Sequence, residues 1–282
     1  MLKYRIITAL VLIPLVISGV LWLSPPFFQG VVGLIILLCA WEWVSIALPK
    51  APPLRLSKSV ILKVNFLIDL SAFGLLYYFV PIKSFLWGIM GFWIVAFTMV
   101  CCYQPDKPSR LQNIWLSLLA AHFALLGAFW SFAWLQQAVY GGYLILTLFV
   151  LIWMSDTAAY FTGRAIGRHK LTPVSPNKTI EGCVGALLGA VVVGVVTYVL
   201  WHQWADPTQL PYVLTNLPFW IAVSVVIGLV SILGDLFESL LKRVNQVKDS
   251  GHILPGHGGL LDRLDSLLPT LPLFALIVMW GK

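Results

Sequence analysis

Long apolar stretches recur through this 282-residue chain, at roughly 5–23, 27–48, 64–82, 84–103, 111–135, 139–161, 182–201, 216–238 and 267–281. Each approaches the about 20 consecutive apolar residues that a helix needs to cross a bilayer. Lipid offers no partner to an exposed backbone amide, so such segments fold as helices that satisfy their own hydrogen bonds. The chain therefore reads as an all-α polytopic membrane protein with eight or nine spans, taken here as about nine transmembrane helices. The division between 64 and 103 is the loosest, because Pro81 and Lys83 are its only break.

The basic residues orient the spans. With the N-terminus in the cytoplasm, sixteen of the eighteen Lys and Arg residues fall in cytoplasmic segments, and only Lys83 and Lys282 lie on the other side. Short cytoplasmic loops accumulate Lys and Arg, so the asymmetry supports an N-in, C-out arrangement. The net charge of +7 is then explained by topology and by contact with anionic headgroups, and nucleic-acid binding is not needed to account for it. Lys3 and Arg5 precede an apolar run as in a signal peptide, but Leu21-Trp-Leu-Ser-Pro-Pro26 offers no small-x-small cleavage site, which predicts a retained first span. Cys39, Cys101, Cys102 and Cys183 show no metal-ligand spacing and are expected to be reduced, buried thiols.

Residues 1–110 carry N-terminal transmembrane helices with short connections. Residues 111–282 form the C-terminal transmembrane catalytic region, which carries two long polar loops, about 162–181 and 239–266. The small-xxx-small pattern Gly185-Ala-Leu-Leu-Gly189 lets helices approach closely; it is read as packing, with a homodimer as the alternative.

Ionisable residues inside spans are costly, and so mark function by default. Here they are Glu42, Asp69, Asp156, Asp235 and Glu238, in a chain that is only 10% charged. Asp235 and Glu238 share a helix face near the cytoplasmic end of the eighth span. Asp156 lies at the same boundary of the sixth. Mg²⁺ is bound through one or two carboxylates plus substrate phosphates, which makes Asp235 a candidate ligand. Glu42 and Asp156 are equally well read as metal ligands or as partners of loop cations. Asp69 is read as structural, paired with Lys63 or satisfied locally.

The loop from Ser239 to Ser266 concentrates Lys242, Arg243, Lys248, Asp249, His252, His257, Asp262, Arg263 and Asp265. Its Pro255-Gly-His-Gly-Gly259 segment supplies backbone that can approach an anion closely, although it lacks P-loop spacing. Acidic residues there would hold metal, and the cations would neutralise a polyphosphate. The other loop adds Ser175, Asn177, Lys178 and Thr179 as phosphate or nucleotide contacts, just before a helix N-terminus that favours anions. A phosphate nucleophile is already anionic at neutral pH, with a second pKa near 6. His252 and His257 are therefore not needed as bases, and phosphate binding or loop stabilisation suits them better. His122 and His202 are read as structural.

Ser239, Lys242-Arg243, Lys248-Asp249 and the run Pro255-x-His257-Gly258-Gly259-x-x-Asp262-Arg263-x-Asp265 together resemble the signature of the phosphatidate cytidylyltransferase (CDP-diacylglycerol synthase) family. The Glu42-Trp43 pair, the Ser175–Gly182 segment and Gly234-Asp-Leu236 extend the likeness over most of the chain. The resemblance implies attack of phosphatidic acid on the α-phosphorus of CTP, giving CDP-diacylglycerol and pyrophosphate. It also implies a Mg²⁺ requirement, with a second cation in a paired site. Membrane lipid is the implied partner, and the implied location is the bacterial cytoplasmic (inner) membrane with the active site facing the cytoplasm.

Carried onto this chain, the metal ligands are Asp235 and Asp262, with Asp265 and Asp249 as further candidates. Asp235, Lys242, Arg243, Lys248, Asp262 and Arg263 form the catalytic set. Ser175, Asn177, Lys178, Thr179, Ser239, His257, Gly258 and Gly259 bind substrate. Two rival readings are a CTP-dependent lipid-alcohol kinase, which would need a base for its hydroxyl nucleophile, and a membrane transporter, which should place its polar groups at the membrane midplane. No D-x-x-D-G-x-x-A-R run is present, which disfavours a CDP-alcohol phosphotransferase.

Overall fold

A computed structural model describes residues 2–48, 56–76, 79–251, 253 and 258–280. The described residues form helices α1 (Leu2–Trp22), α2 (Pro25–Ala47), α3 (Leu56–Leu76), α4 (Ile82–Cys101), α5 (Ile114–Gln137), α6 (Gly141–Ile166), α7 (Ile180–Trp204), α8 (Tyr212–Thr215), α9 (Leu217–Val244), α10 (Leu261–Leu264) and α11 (Leu267–Trp280), with no named strand among them. Seven membrane-length apolar segments are found among the described residues: α2, α4, α5, α6, α7, α9, and Leu261–Trp280, which joins α10 to α11. The chain is an all-α polytopic membrane protein.

Two boundaries differ from the sequence reading. The third helix runs over Leu56–Leu76 rather than 64–82, so Lys58 and Lys63 belong to the helix and not to a loop. Lys63 lies 4.3 Å from the centroid of the Trp41 ring, a cation–π contact rather than the ion pair with Asp69 that was one of the two readings of that acid. The helix expected over 216–238 continues to Val244. Lys and Arg have long apolar stems that keep helical backbone at the membrane boundary while their charges reach water, so Lys242 and Arg243 prolong α9 instead of ending it.

Caps and buried hydroxyls explain several junctions. Asn113 opens α5 by accepting from the Trp115 and Leu116 amides. Asn216 opens α9 by accepting from Phe219 N, with Pro218 in the first turn, where its missing N–H costs nothing. Inside the bundle, three indole N–H groups find hydroxyls on neighbouring helices. Trp43 Nε1 donates to Ser117 Oγ at 3.2 Å, Trp201 Nε1 to Thr147 Oγ1 at 3.1 Å, and Trp220 Nε1 to Thr197 Oγ1 at 3.0 Å. Such bonds tie α2 to α5, α6 to α7 and α7 to α9 in surroundings where an unpaired N–H would be expensive.

Gly185 and Gly189 face α6: a methyl group on either would collide with Thr162 or Ala158. The small-residue stripe is thus used within the chain, as packing. Of the four cysteines only Cys39 is buried; Cys101 and Cys102 are exposed, since they close α4 next to its last turn. His122 and His202 bond to the carbonyls of Leu118 and Tyr198 on their own helices, which fits their structural reading.

Candidate active site

The carboxy-terminal ends of α2, α6 and α9 meet the amino-terminal ends of α7 and α11 at one end of the bundle. There the ends of α6, α7 and α9 and the segment leading into α11 enclose a cleft of about 780 Å³, within the 300–1,000 Å³ usual for ligand sites. Its wall contains Asp156 and Arg164 from α6, Lys178 and Thr179 from the loop before α7, and Asp235 and Lys242 from α9, followed by Asp249, Asp262, Arg263 and Asp265. Two segments about sixty positions apart in the chain therefore share one surface, as their chemistry suggested.

The extension of α9 orders this surface. Asp235, Glu238, Ser239 and Lys242 fall at i, i+3, i+4 and i+7 and so line one helix face. Ser239 Oγ donates to Asp235 Oδ1 at 3.3 Å. Lys178 Nζ crosses the cleft to Asp235 Oδ2 at 2.7 Å. Lys242 pairs with the buried Glu238 on its own helix and with Asp262 Oδ1 at 2.6 Å. Asp262 Oδ2 in turn accepts from Gly259 N at 2.8 Å and Ser250 N at 3.0 Å. Asp262 is therefore both a cleft carboxylate and the knot of the signature loop. Asp265 caps locally, its Oδ1 accepting from Ser266 N.

The loop before α7 is closed by its own hydrogen bonds. Lys170 and Thr179 form an antiparallel bridge, and Thr179 Oγ1 caps α7 by accepting from Gly182 N at 3.1 Å. Glu181 accepts from the Arg168 and His169 amides and from His169 Nδ1. Ser175 and Asn177 are thereby presented to the cleft. Arg243 Nε donates to Val174 O at 3.2 Å, docking this loop on the end of α9. Arg243, Lys248, Ser239, Gly258 and Gly259 are not part of the cleft wall; Gly258 and Gly259 stand behind Asp262, with Gly258 at φ +83°, a conformation that suits glycine. His257 and His252 lie outside the described residues.

Glu42 has a role that local sequence could not reveal. Its carboxylate is 3% exposed and accepts from Leu261 N at 2.8 Å, Leu260 N at 3.1 Å and Ser250 Oγ at 3.2 Å. These partners lie 208 to 219 positions away. Glu42 anchors the signature loop at two places, Ser250 and the Leu260–Leu261 pair. Glutamine there would set an NH₂ group against a backbone N–H, and each buried donor left unpaired costs about 1–3 kcal/mol. Glu42→Gln should accordingly lower both thermal unfolding temperature in detergent and turnover; an unchanged unfolding temperature would show that the anchor is dispensable.

A hard divalent cation entering the cleft would meet acidic side chains from α6, α9 and the signature loop. All the cleft acids are carboxylates, the ligands such ions prefer. Among the described residues no three His, Cys, Asp or Glu side chains converge as a ready-made cage. The ammonium of Lys178 sits on Asp235 and that of Lys242 on Asp262, so lysine neutralises both of these carboxylates. This pattern fits Mg²⁺, which relies on one or two carboxylates together with substrate phosphates.

A family model described as the cytidylyltransferase family matches residues 3–280. The chain is 33% identical to a protein of Haemophilus influenzae named phosphatidate cytidylyltransferase, with 98% of each chain covered. It is 34% identical to a protein of the same name from Pseudomonas aeruginosa, over 100% of this chain and 99% of the relative. A third of that name, from Staphylococcus saprophyticus, is 31% identical over 99% of both.

Proposed function

Because the chain belongs to the cytidylyltransferase family, we propose that it is a CTP-dependent nucleotidyltransferase that converts phosphatidic acid to CDP-diacylglycerol for phospholipid synthesis. A phosphate oxygen of phosphatidic acid attacks the α-phosphorus of CTP. The bond from that phosphorus to the bridging oxygen of the β-phosphate breaks, and pyrophosphate leaves with the electron pair. The observation that carries this reading is the single cleft shared by five carboxylates, Asp156, Asp235, Asp249, Asp262 and Asp265, and four cations, Arg164, Lys178, Lys242 and Arg263, at the bundle end where helices meet polar loops. A lipid phosphate at headgroup level and a soluble polyphosphate can meet only at such a boundary.

The residues divide the work by charge. Lys178 and Lys242, released from Asp235 and Asp262 when substrate phosphates arrive, neutralise the triphosphate and the charge that grows on departing pyrophosphate, a task for preorganised cations. Ser175 and Asn177 offer hydrogen bonds from the loop before α7. The nucleophile is anionic already, so no base is assigned. Mg²⁺, held by Asp235 and Asp262 with Asp265 and Asp249 near, would supply Lewis-acid polarisation of phosphate oxygens when bound. We place the N-terminus and this cleft on the cytoplasmic side of the inner membrane on the strength of the Lys and Arg asymmetry.

Purified protein in detergent–lipid micelles, given phosphatidic acid and Mg²⁺, should release pyrophosphate with CTP and far less with ATP or GTP. Release that depends on nucleotide but not on phosphatidic acid would refute the reading.

A further inference from the structure

We propose that Arg164, steadied by Tyr160, is the residue that receives the phosphate of the lipid substrate; the assignment rests on the phosphatidate reading above. Of the cleft cations, Lys178 is held by Asp235 and Lys242 by Glu238 and Asp262. Arg164 differs from both. Its Nη1 donates to the Tyr160 hydroxyl at 3.0 Å, and among the described residues no carboxylate pairs with its guanidinium. A guanidinium has five N–H donors in a planar fork, so one bond to Tyr160 fixes the plane and leaves donors for two phosphate oxygens.

Its position selects the lipid over CTP. Arg164 lies in the last turn of α6 and lines the cleft together with Tyr160, and the same helix end carries open apolar and aromatic side chains: Tyr160, Phe161 and Ile166 are 58%, 63% and 60% exposed. Exposed tyrosine beside arginine at a helix end is the composition of a headgroup-level boundary. The other cleft cations are carried by α9, α10 and the loop before α7. A phosphate tethered to acyl chains must arrive along the lipid-facing wall, and Arg164 is the cation there. A phosphomonoester also presents more free oxygens and charge to the fork than a phosphodiester lipid does, which gives Arg164 a basis for choosing phosphatidic acid.

The test uses the full-length protein in mixed micelles, varying phosphatidic acid at saturating CTP and then CTP at saturating phosphatidic acid. Arg164→Gln should raise KM for phosphatidic acid at least about tenfold, the scale of one lost charge-assisted bond, with KM for CTP within about twofold of wild type. Arg164→Lys, a point charge without the fork, should restore only part of the loss, and Tyr160→Phe should show a smaller rise of the same kind. Equal rises in both KM values, or a fall in kcat alone, would overturn the proposal. A binding titration with short-chain phosphatidic acid and no CTP separates the site from the reaction. Wild type that binds more tightly than Arg164→Gln, yet makes no CDP-diacylglycerol, would sink the reaction and keep the site. Equal affinities of the two proteins would sink the site.

Discussion

Asp262→Asn should eliminate CDP-diacylglycerol formation, by at least about a thousandfold, and should also loosen the protein. The side chains of Lys242 and Asp262 are 17% and 9% exposed, and Lys242 keeps Glu238 as a partner, so losing this half-buried pair costs less than the about 3–5 kcal/mol of a fully buried one. Asparagine has one acceptor oxygen where Asp262 uses two. If that oxygen keeps the Ser250 and Gly259 amides, its NH₂ group confronts the Lys242 ammonium; if it turns to Lys242, two backbone donors are orphaned. Both the loop and the cleft charge fail together. Asp235→Asn separates the two effects. Asp235 is 36% exposed at its side chain, and its partners are Lys178 Nζ and Ser239 Oγ, with no backbone amide among them. This variant should lose turnover to a comparable degree while its unfolding temperature stays near that of wild type. Turnover by Asp235→Asn close to wild type would remove Asp235 from the chemistry.

The second large effect is expected at Gly259. A methyl group there would run into Ser250 Oγ and stand 2.6 Å from both Glu42 Oε2 and the Gly251 amide nitrogen. The serine could rotate, but Glu42 is pinned by three donors and the Gly251 nitrogen is backbone. Overpacking of this kind typically costs about 1–3 kcal/mol. The loss of activity should be larger, about a hundredfold or more, because displacing the loop by an ångström misaligns Asp262 with its partners. Gly259→Ala should therefore retain a folded, less stable helical bundle by circular dichroism with turnover near background. Activity close to wild type would mean that the 249–262 segment can adopt another path without harm to the cleft.

These effects show which parts of the molecule were readable from residues alone. The helical bundle was legible because lipid leaves an apolar backbone few options. The signature segment was legible because ionisable groups are so scarce elsewhere that their clustering marks chemistry. Lys178 and Asp235 were both legible at the same boundary, one as a phosphate contact and the other as a metal ligand, but their ion pair was not. The continuation of α9 to Val244 was not legible: Lys242 and Arg243 look like loop charges until their stems are seen to run along a helix at the membrane edge. That continuation matters, as it puts Asp235 and Lys242 on one rigid face. Glu42 was the hardest. Its neighbours in sequence are apolar and its three donors belong to the other end of the chain, so no spacing rule could connect them. Thr179 was read as a substrate contact; it lines the cleft, and its hydroxyl also caps α7, a role its spacing before Gly182 could have suggested.

On the reading proposed above, a lipid phosphate displaces pyrophosphate from the α-phosphorus of CTP in the cleft between α6, α7 and α9. Parallel reactions of purified protein with phosphatidic acid and CTP, radiolabelled at the α-phosphorus in one and at the γ-phosphorus in the other, follow both halves of the nucleotide. The α-label should appear in a chloroform-soluble cytidine lipid and the γ-label in pyrophosphate, in equal amounts. A γ-label recovered in lipid, with the α-label in CDP, would contradict it.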